Sequence, residues 1–317
     1  MSNNVFSVIS VYNDENVLQT WLEEGLKRQS FNNFERIFID NTNSKYSSAA
    51  EALNDGGSQA TGEYLIFVHQ DVRLLSDDFL KNLLEYLEAL PKIGIGGVAG
   101  MVANEENEVM SGRNVVYHGS PPKEYENFTP YELENHDQSE LPIKHIFSEY
   151  DHPNQTRFWS GGNPINQPVP VQTLDELLLV IPNQIFKEHK FDERICTGWH
   201  LYGVEYCLRM KYRHGLDPYV FPLQVWHKSD GSPLNNDYFR TYHKLVKEYD
   251  DIGIDSVHMT TGIRPLSVQY SYPRRWKTIR KLLKPIRYTK TGKFLKNFKS
   301  VWKEPNLLVD FLKWKIR

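Results

Sequence analysis

Within its first seventy residues the chain alternates apolar runs with helical patterns, and this alternation restricts the fold more than any other feature. Val5 to Val11 reads as a strand that Tyr12 and Asn13 end. Asp14 then caps a helix in which Val17, Leu18, Trp21, Leu22, Gly25 and Leu26 follow helical spacing. Phe34 to Ile39 is a second strand, stopping at Asp40-Asn41, and a short helix follows from about Ser47 to Leu53. Tyr64 to Val68 is a third strand, entered through a turn at Gly62 and left through His69, Gln70 and Asp71. Strand, helix, strand, helix, strand predicts a doubly wound, mainly parallel α/β sheet with helices on both faces. In such a sheet the residues after each strand gather at the carboxyl edge, where α/β folds bind ligands. Three strand ends then share that edge: Ser10 to Tyr12, Asp40-Asn41, and His69 to Asp71.

The chemistry at that edge has two readings. His69 and Asp71 can ligate a divalent cation, and a cation there can hold a diphosphate. The same residues also serve as ordinary loop polars. Asp40-Asn41 is good turn chemistry, and Tyr12 equally fits as a plug at the sheet edge.

The stretch TGEYLIFVHQDV, Thr61 to Val72, resembles the strand and Asp-x-Asp element of family 2 glycosyltransferases, with His69 in place of the first Asp. Asn54, Gly56, Ala60 and Gly62 match the N-x-G-x-x-x-A-x-G run that leads into that strand. The resemblance spans about residues 5 to 230 and implies a GT-A fold and a nucleotide-sugar donor. It places Ser10, Tyr12, Asp40, Asn54, Gly56, His69, Gln70 and Asp71 on the nucleotide, with Tyr12 stacking on the base and Asp40 accepting from the uracil or thymine imide. It further implies a Mg²⁺ or Mn²⁺ ion on Asp71 and His227, with His69 as a helper. His227 belongs to Gln224-Val-Trp226-His227, similar to the late strand-end histidine of the family.

The segment TGWHLYGVEYCLRMKYRHG, Thr197 to Gly215, resembles the family's acidic helix. In register with Cys207-Leu208-Arg209, the position of the catalytic Asp falls on Gly203, and Glu205 matches a second acid. Glu205 and Asp175 are therefore the expected bases, with His200 close by. Asp175 lies in VQTLDELLLVIP, Val171 to Pro182, which reads as a strand followed by a helix from about Asn183. Between the two halves, Ser76 to Ala89 reads as a helix, Ile93 to Val102 as one glycine-rich strand, and Val109 to His118 as a hairpin or edge strand. Ser120 to Pro170 carries eight prolines, and is assigned to the acceptor side. Asn236 to Tyr249 reads as a closing helix.

The chain has 40% hydrophobic and 24% charged residues, an ordinary globular balance. Cys196 and Cys207 form neither a disulfide framework nor a metal quartet, which suits reduced, buried thiols. No basic start with an apolar stretch marks a signal peptide, so Asn127-Phe-Thr and Asn154-Gln-Thr read as chance sequons. Charge is uneven. From Tyr270 to Arg317 there are 15 Lys and Arg against Glu304 and Asp310, which leaves 22 basic and 38 acidic residues elsewhere. Trp276, Ile279, Leu282, Leu283 and Ile286 follow helical spacing among these cations, the pattern of an interfacial amphipathic helix. A helical pair docked on the acidic body is the other reading; no recognition motif supports nucleic acid.

The expected organisation is a nucleotide-sugar half (1–118), an acceptor half (119–269) and basic amphipathic helices (270–317). The expected activity is transfer, inverting, from a UDP- or dTDP-sugar to a glycan acceptor, in the manner of bacterial polysaccharide and O-antigen enzymes. A lipid-linked acceptor and a cytoplasmic, peripheral membrane location follow from the tail. The rival is a GT-A protein that binds a nucleotide or glycan without turnover.

Overall fold

The opening apolar run becomes strand β1 (Phe6–Tyr12), whose first five residues are buried. The computed structural model describes residues 4–90, 92–103, 110–119, 144–145, 158–161, 163–229 and 236–249. Asp14 accepts from the N–H groups of Asn16 and Val17 and so starts α1. That helix runs through Glu15–Leu18, Gln19–Glu23 and Glu24–Lys27, the middle segment being π-wound. Next come β2 (Phe34–Asp40), α2 (Ala49–Gln59) and β3 (Tyr64–Val68). β1 pairs in parallel with both β2 and β3, as the alternation predicts.

Helix α2 is longer than expected. Ser48 caps it by accepting from the N–H of Glu51, and it continues past Leu53 through Gly56 and Gly57. A Cβ on Gly56 would lie 2.6 Å from Ile9 Cγ2, and one on Gly57 would collide with the Phe186 ring. The two glycines let the helix lie close against its neighbours, which offsets their poor helix propensity.

Farther along lie β4 (Val72–Leu74), α3 (Phe79–Glu88), β5 (Ile93–Gly97), β6 (Gly100–Ala103), β7 (Met110–Arg113) and β8 (Val116–Gly119). Short strands β9 (Lys144–His145), β10 (Phe158–Gly161), β11 (Val169–Pro170) and β12 (Thr173–Leu174) precede β13 (Leu178–Pro182) and α4 (Asn183–Glu188). The described part closes with α5 (Tyr202–His214), β14 (Asp217–Val220), β15 (Val225–His227) and α6 (Asn236–Glu248). The central sheet has the order β11-β14-β5-β13-β3-β1-β2. Most of its strands run with β1, but β13 is antiparallel to both of its neighbours, β3 and β5. A second sheet, β4-β15-β8-β10-β9, carries the site residues that the central sheet does not. The core joins Phe6, Val8 and Ile66 of the central sheet to Leu18, Leu22 and Leu26 of α1 and Leu80, Leu83 and Leu87 of α3.

Two expected continuous elements are split. Ile93 to Val102 breaks at Val98-Ala99, with β5 in the central sheet and β6 in a three-stranded one. Val109 to His118 breaks at Asn114, which adopts φ +70°. Its Nδ2 donates to the carbonyls of Val98 (2.8 Å), Phe221 (3.2 Å) and Leu223 (2.7 Å), fixing the corner where β7 and β8 part. The chain divides into two units, Met1–Gln269 and Tyr270–Arg317. Most of the expected acceptor segment and the whole basic tail lie outside the described residues. No described helix is long and apolar enough to cross a membrane.

Candidate active site

β3 ends at Val68, and the chain turns through His69, Gln70 and Asp71 into β4. The His69 N–H donates to the Leu177 carbonyl at 3.0 Å, which fixes this turn against the residues entering β13. Antiparallel pairing of β15 with β4 sets His227 opposite Val72, and the Lys228 N–H donates to the Asp71 carbonyl at 2.9 Å. His227 is thereby held over the β3 turn, with its Nε2 3.3 Å from Asp71 Oδ1. His69, Asp71 and His227 each offer one ligand atom, and these atoms lie within 4.8 Å of one another.

The protonation states suit a cation. Burial, and next the charge of His227, push His69 down to about 4, so its imidazole is neutral at pH 7. Burial pushes the Asp71 carboxyl up, but the His227 hydrogen bond and the nearby imidazoles outweigh it and hold the group well below the usual carboxylate range. A neutral imidazole and an ionised carboxylate are the forms that bind metal, and two imidazoles with one carboxylate can hold a first-row divalent ion. The side chains present therefore fit a divalent ion.

Two aromatic residues absent from the sequence expectations complete this corner. Tyr202 Oη lies 3.1 Å from His69 Nε2 and donates to the Glu176 carbonyl at 3.3 Å. The ring of His118, paired across from His227 on β8, stands 5.5 Å from the His227 ring. Neither carried a signal in the sequence: Tyr202 opens helix α5 and His118 sits on β8, and only the fold brings them to this corner.

The expected nucleotide contacts separate into two groups. Tyr12 and Asp40 are directly paired at the ends of β1 and β2. Tyr12 is partly buried and Asp40 is exposed, its Oδ1 accepting from the N–H and hydroxyl of Thr42 at 2.8 and 2.7 Å. Gln70 Oε1 accepts from the N–H groups of Asn13 and Asp14, both at 3.0 Å, and ties the β3 turn to the end of β1. These groups share the edge with Asp71.

Ser10, Asn54 and Gly56 do not. Ser10 is fully buried within β1. Asn54 bonds the Phe191 backbone in both directions and donates to Glu193 Oε1 at 2.8 Å. Gly56 faces Ile9 and Ile39. Asn54 and Gly56 are thus packing residues that dock α2, and Ser10 lies buried within the strand.

Glu205 also departs from expectation. It is 1% exposed. Both carboxylate oxygens are bonded to Arg209, at 2.9 and 3.0 Å, and Tyr249 Oη donates to Oε1 at 2.8 Å. A carboxylate committed in this way cannot receive an acceptor proton, so Glu205 is a structural ion pair. Asp175 is 7% exposed, and its Oδ1 accepts from the Leu177 N–H at 3.1 Å. It enters β13 beside Glu176, a partly exposed acid. Because β13 runs against β3, its beginning, not its end, meets His69 to Asp71. Burial and then the adjacent Asp175 push the Glu176 carboxyl well above its usual range. His200, on the loop before α5, packs its ring 6.0 Å from that of Tyr238. Cys196 and Cys207 are free and buried, as expected.

A model described as a glycosyltransferase-like family matches residues 7–249. The chain belongs to that family. No curated protein matches it. Among solved structures, that of GalNAc-T7 with UDP, GalNAc and Mn²⁺ is similar at 12% identity and a TM-score of 0.47, over 89% of this chain and 58% of that one. S. aureus TarS 1-349 in complex with UDP-GlcNAc is similar at 13% identity and a TM-score of 0.42, over 77% of this chain and 66% of that one. The mannosyltransferase PcManGT from Pyrobaculum calidifontis, in complex with GDP-Man and Mn²⁺, shows 13% identity and a TM-score of 0.47, over 99% of this chain and 84% of that one. The chain thus spans less than two thirds of the length of the first two.

Proposed function

We propose that this member of the glycosyltransferase-like family moves a sugar from a UDP- or dTDP-sugar to a glycan hydroxyl, by single displacement with inversion. The observation that carries this reading is the convergence of His69, Asp71 and His227, from two sheets, beside the paired Tyr12 and Asp40. A nucleotide lying along that edge has its base at Tyr12 and Asp40 and its diphosphate toward Asp71. His69, Asp71 and His227 would hold a Mg²⁺ or Mn²⁺ ion, which supplies positive charge against the leaving diphosphate. The neutral His69 and the ionised Asp71 are already in the forms that bind such an ion.

Calorimetric titration of UDP and dTDP, with Mn²⁺ and with a chelator, tests the reading. Affinity is expected to fall when the metal is removed. Equal affinity in the two conditions would take the metal out of the site. A thermal-shift screen of nucleotide sugars then selects the donor, because a ligand raises apparent stability with its affinity.

We extend the proposal to the acceptor. The basic, amphipathic pattern of Tyr270 to Arg317 supports attachment to an anionic membrane surface, which favours a lipid-linked glycan in surface polysaccharide synthesis. Each Lys or Arg near such a surface contributes about 1 kcal/mol, so even a few of them produce measurable binding. Full-length protein is expected to float with anionic liposomes and to be released by salt, whereas protein ending at residue 269 stays behind. Equal flotation of the two would assign the tail to the body of the protein instead.

A further inference from the structure

We propose that Glu176 is the general base of the transfer reaction, its side chain filling the space that Gly203 leaves open at the start of α5. The proposal rests on the reading of the site as a sugar transferase. A Cβ on Gly203 would lie 3.0 Å from Glu176 Cγ and 3.1 Å from Leu179 Cδ1. The volume into which residue 203 would project is therefore already taken by the Glu176 side chain. Glu176 Oε1 accepts from the Gly203 N–H at 3.1 Å, which pins the carboxylate at the mouth of the helix. The backbone before it is held in an unusual shape: Leu201 has φ +70°, a left-handed conformation that is strained for a non-glycine residue. That turn aims the first N–H groups of α5 at Glu176.

The backbone at Glu176, not its carboxylate, is tied to the metal-ligand cluster. Tyr202 Oη spans from the Glu176 carbonyl to His69 Nε2, and the next carbonyl, that of Leu177, accepts from the His69 N–H. The neighbouring acids are otherwise engaged. Asp71 faces His227, Glu205 faces Arg209, and Asp175 is more deeply buried and accepts from its own loop. Among the described residues, Glu176 is held only by the N–H groups at the start of α5 and pairs with no cation there; the residue as a whole is half-buried. Its raised carboxyl affinity for protons, from burial and Asp175, moves it toward the range useful for proton transfer near neutral pH.

In the step assigned to it, the acceptor O–H proton passes to a Glu176 oxygen while the acceptor oxygen bonds to the anomeric carbon. The bond from that carbon to the diphosphate oxygen breaks, and its electron pair leaves with the diphosphate. Glu176 then returns the proton to water. The competing role is purely structural: Glu176 as a cap for α5. Glutamine keeps the accepting Oε1 and the shape but cannot take the proton, so Glu176→Gln separates the two roles.

The test uses the full chain, a panel of UDP-, dTDP- and GDP-sugars with Mn²⁺, release of nucleoside diphosphate as the rate, and calorimetric UDP binding as the control. Glu176→Gln is expected to lower kcat by on the order of 10²–10⁴, the range for loss of a general base, with UDP affinity and melting temperature close to those of the parent. The double variant Glu176→Gly with Gly203→Asp returns a carboxylate to the same space from the helix side. It is expected to recover a large part of the lost rate. Diphosphate release by Glu176→Gln at the parent rate would overturn the proposal and leave the transferase reading intact. A parent chain that binds UDP but releases no diphosphate from any donor would instead sink the transferase reading, and this proposal with it. A swap variant that folds and binds UDP but stays as slow as Glu176→Gln would show that the helix mouth is not where the proton is taken.

Discussion

Replacing Asp71 by Asn is expected to abolish the effect of Mn²⁺ on nucleotide binding and to lower diphosphate release by on the order of 10³. Among His69, Asp71 and His227, Asp71 is the sole carboxylate, so it supplies the negative charge that draws a dication to the two imidazoles. It is also held ionised: burial works against the charge, but the His227 hydrogen bond and the imidazoles prevail. Asn keeps the volume and one oxygen but removes the charge. A bound metal stabilises a phosphoryl leaving group by several kcal/mol, and about 1.4 kcal/mol is tenfold in rate, which gives the stated size. Calorimetry of UDP with and without Mn²⁺ gives a readout independent of turnover. If Asp71→Asn retains Mn²⁺-dependent UDP affinity, the three-residue site is not where the metal sits.

The first three strands and their parallel pairing could be read from sequence because each depends on local pattern. Apolar runs fix β1, β2 and β3, and parallel pairing brings their ends together whatever the rest of the chain does. His227 was reachable as well, through the residues around it. What could not be read was direction and docking. Nothing in Leu177 to Ile181 states that β13 runs against β3, yet that reversal carries Asp175 and Glu176 to the carboxyl edge. A run taken as parallel would send its opening residues to the far edge. Asn54 and Gly56 illustrate a second limit. Both lie in a run that leads toward the site, but the side chain of one is spent on Phe191 and Glu193, and the other exists to admit Ile9 and Ile39. Gly203 and Glu176 illustrate a third. The space beside a glycine can be filled by a residue 27 positions earlier, and only tertiary structure shows which one fills it.

The same reasoning makes Glu205 a stability residue with a large effect. Truncation by Glu205→Ala is expected to lower the unfolding free energy by roughly 3 kcal/mol, the low end for breaking a buried ion pair. The carboxylate is 1% exposed, while the Arg209 side chain is 17% exposed, so the cation left behind has little access to water. Tyr249 Oη loses its acceptor at Oε1 as well, which loosens the contact between α5 and the end of α6. Arg209 retains the Lys190 carbonyl at 2.8 Å and the face of Tyr206 at 4.9 Å, partners that soften the loss but carry no negative charge. Adding Arg209→Met to Glu205→Ala is expected to restore part of the stability, since an apolar side chain leaves no charge to desolvate. Urea unfolding of the parent, the single variant and the double variant measures both effects. Turnover assayed below the melting transition supplies the other half of the test. Glu205→Gln is expected to keep most of the parent kcat once folded, while its stability falls. A Glu205→Gln protein of parental stability that has lost its turnover would return the base to Glu205 and remove Glu176 from that role.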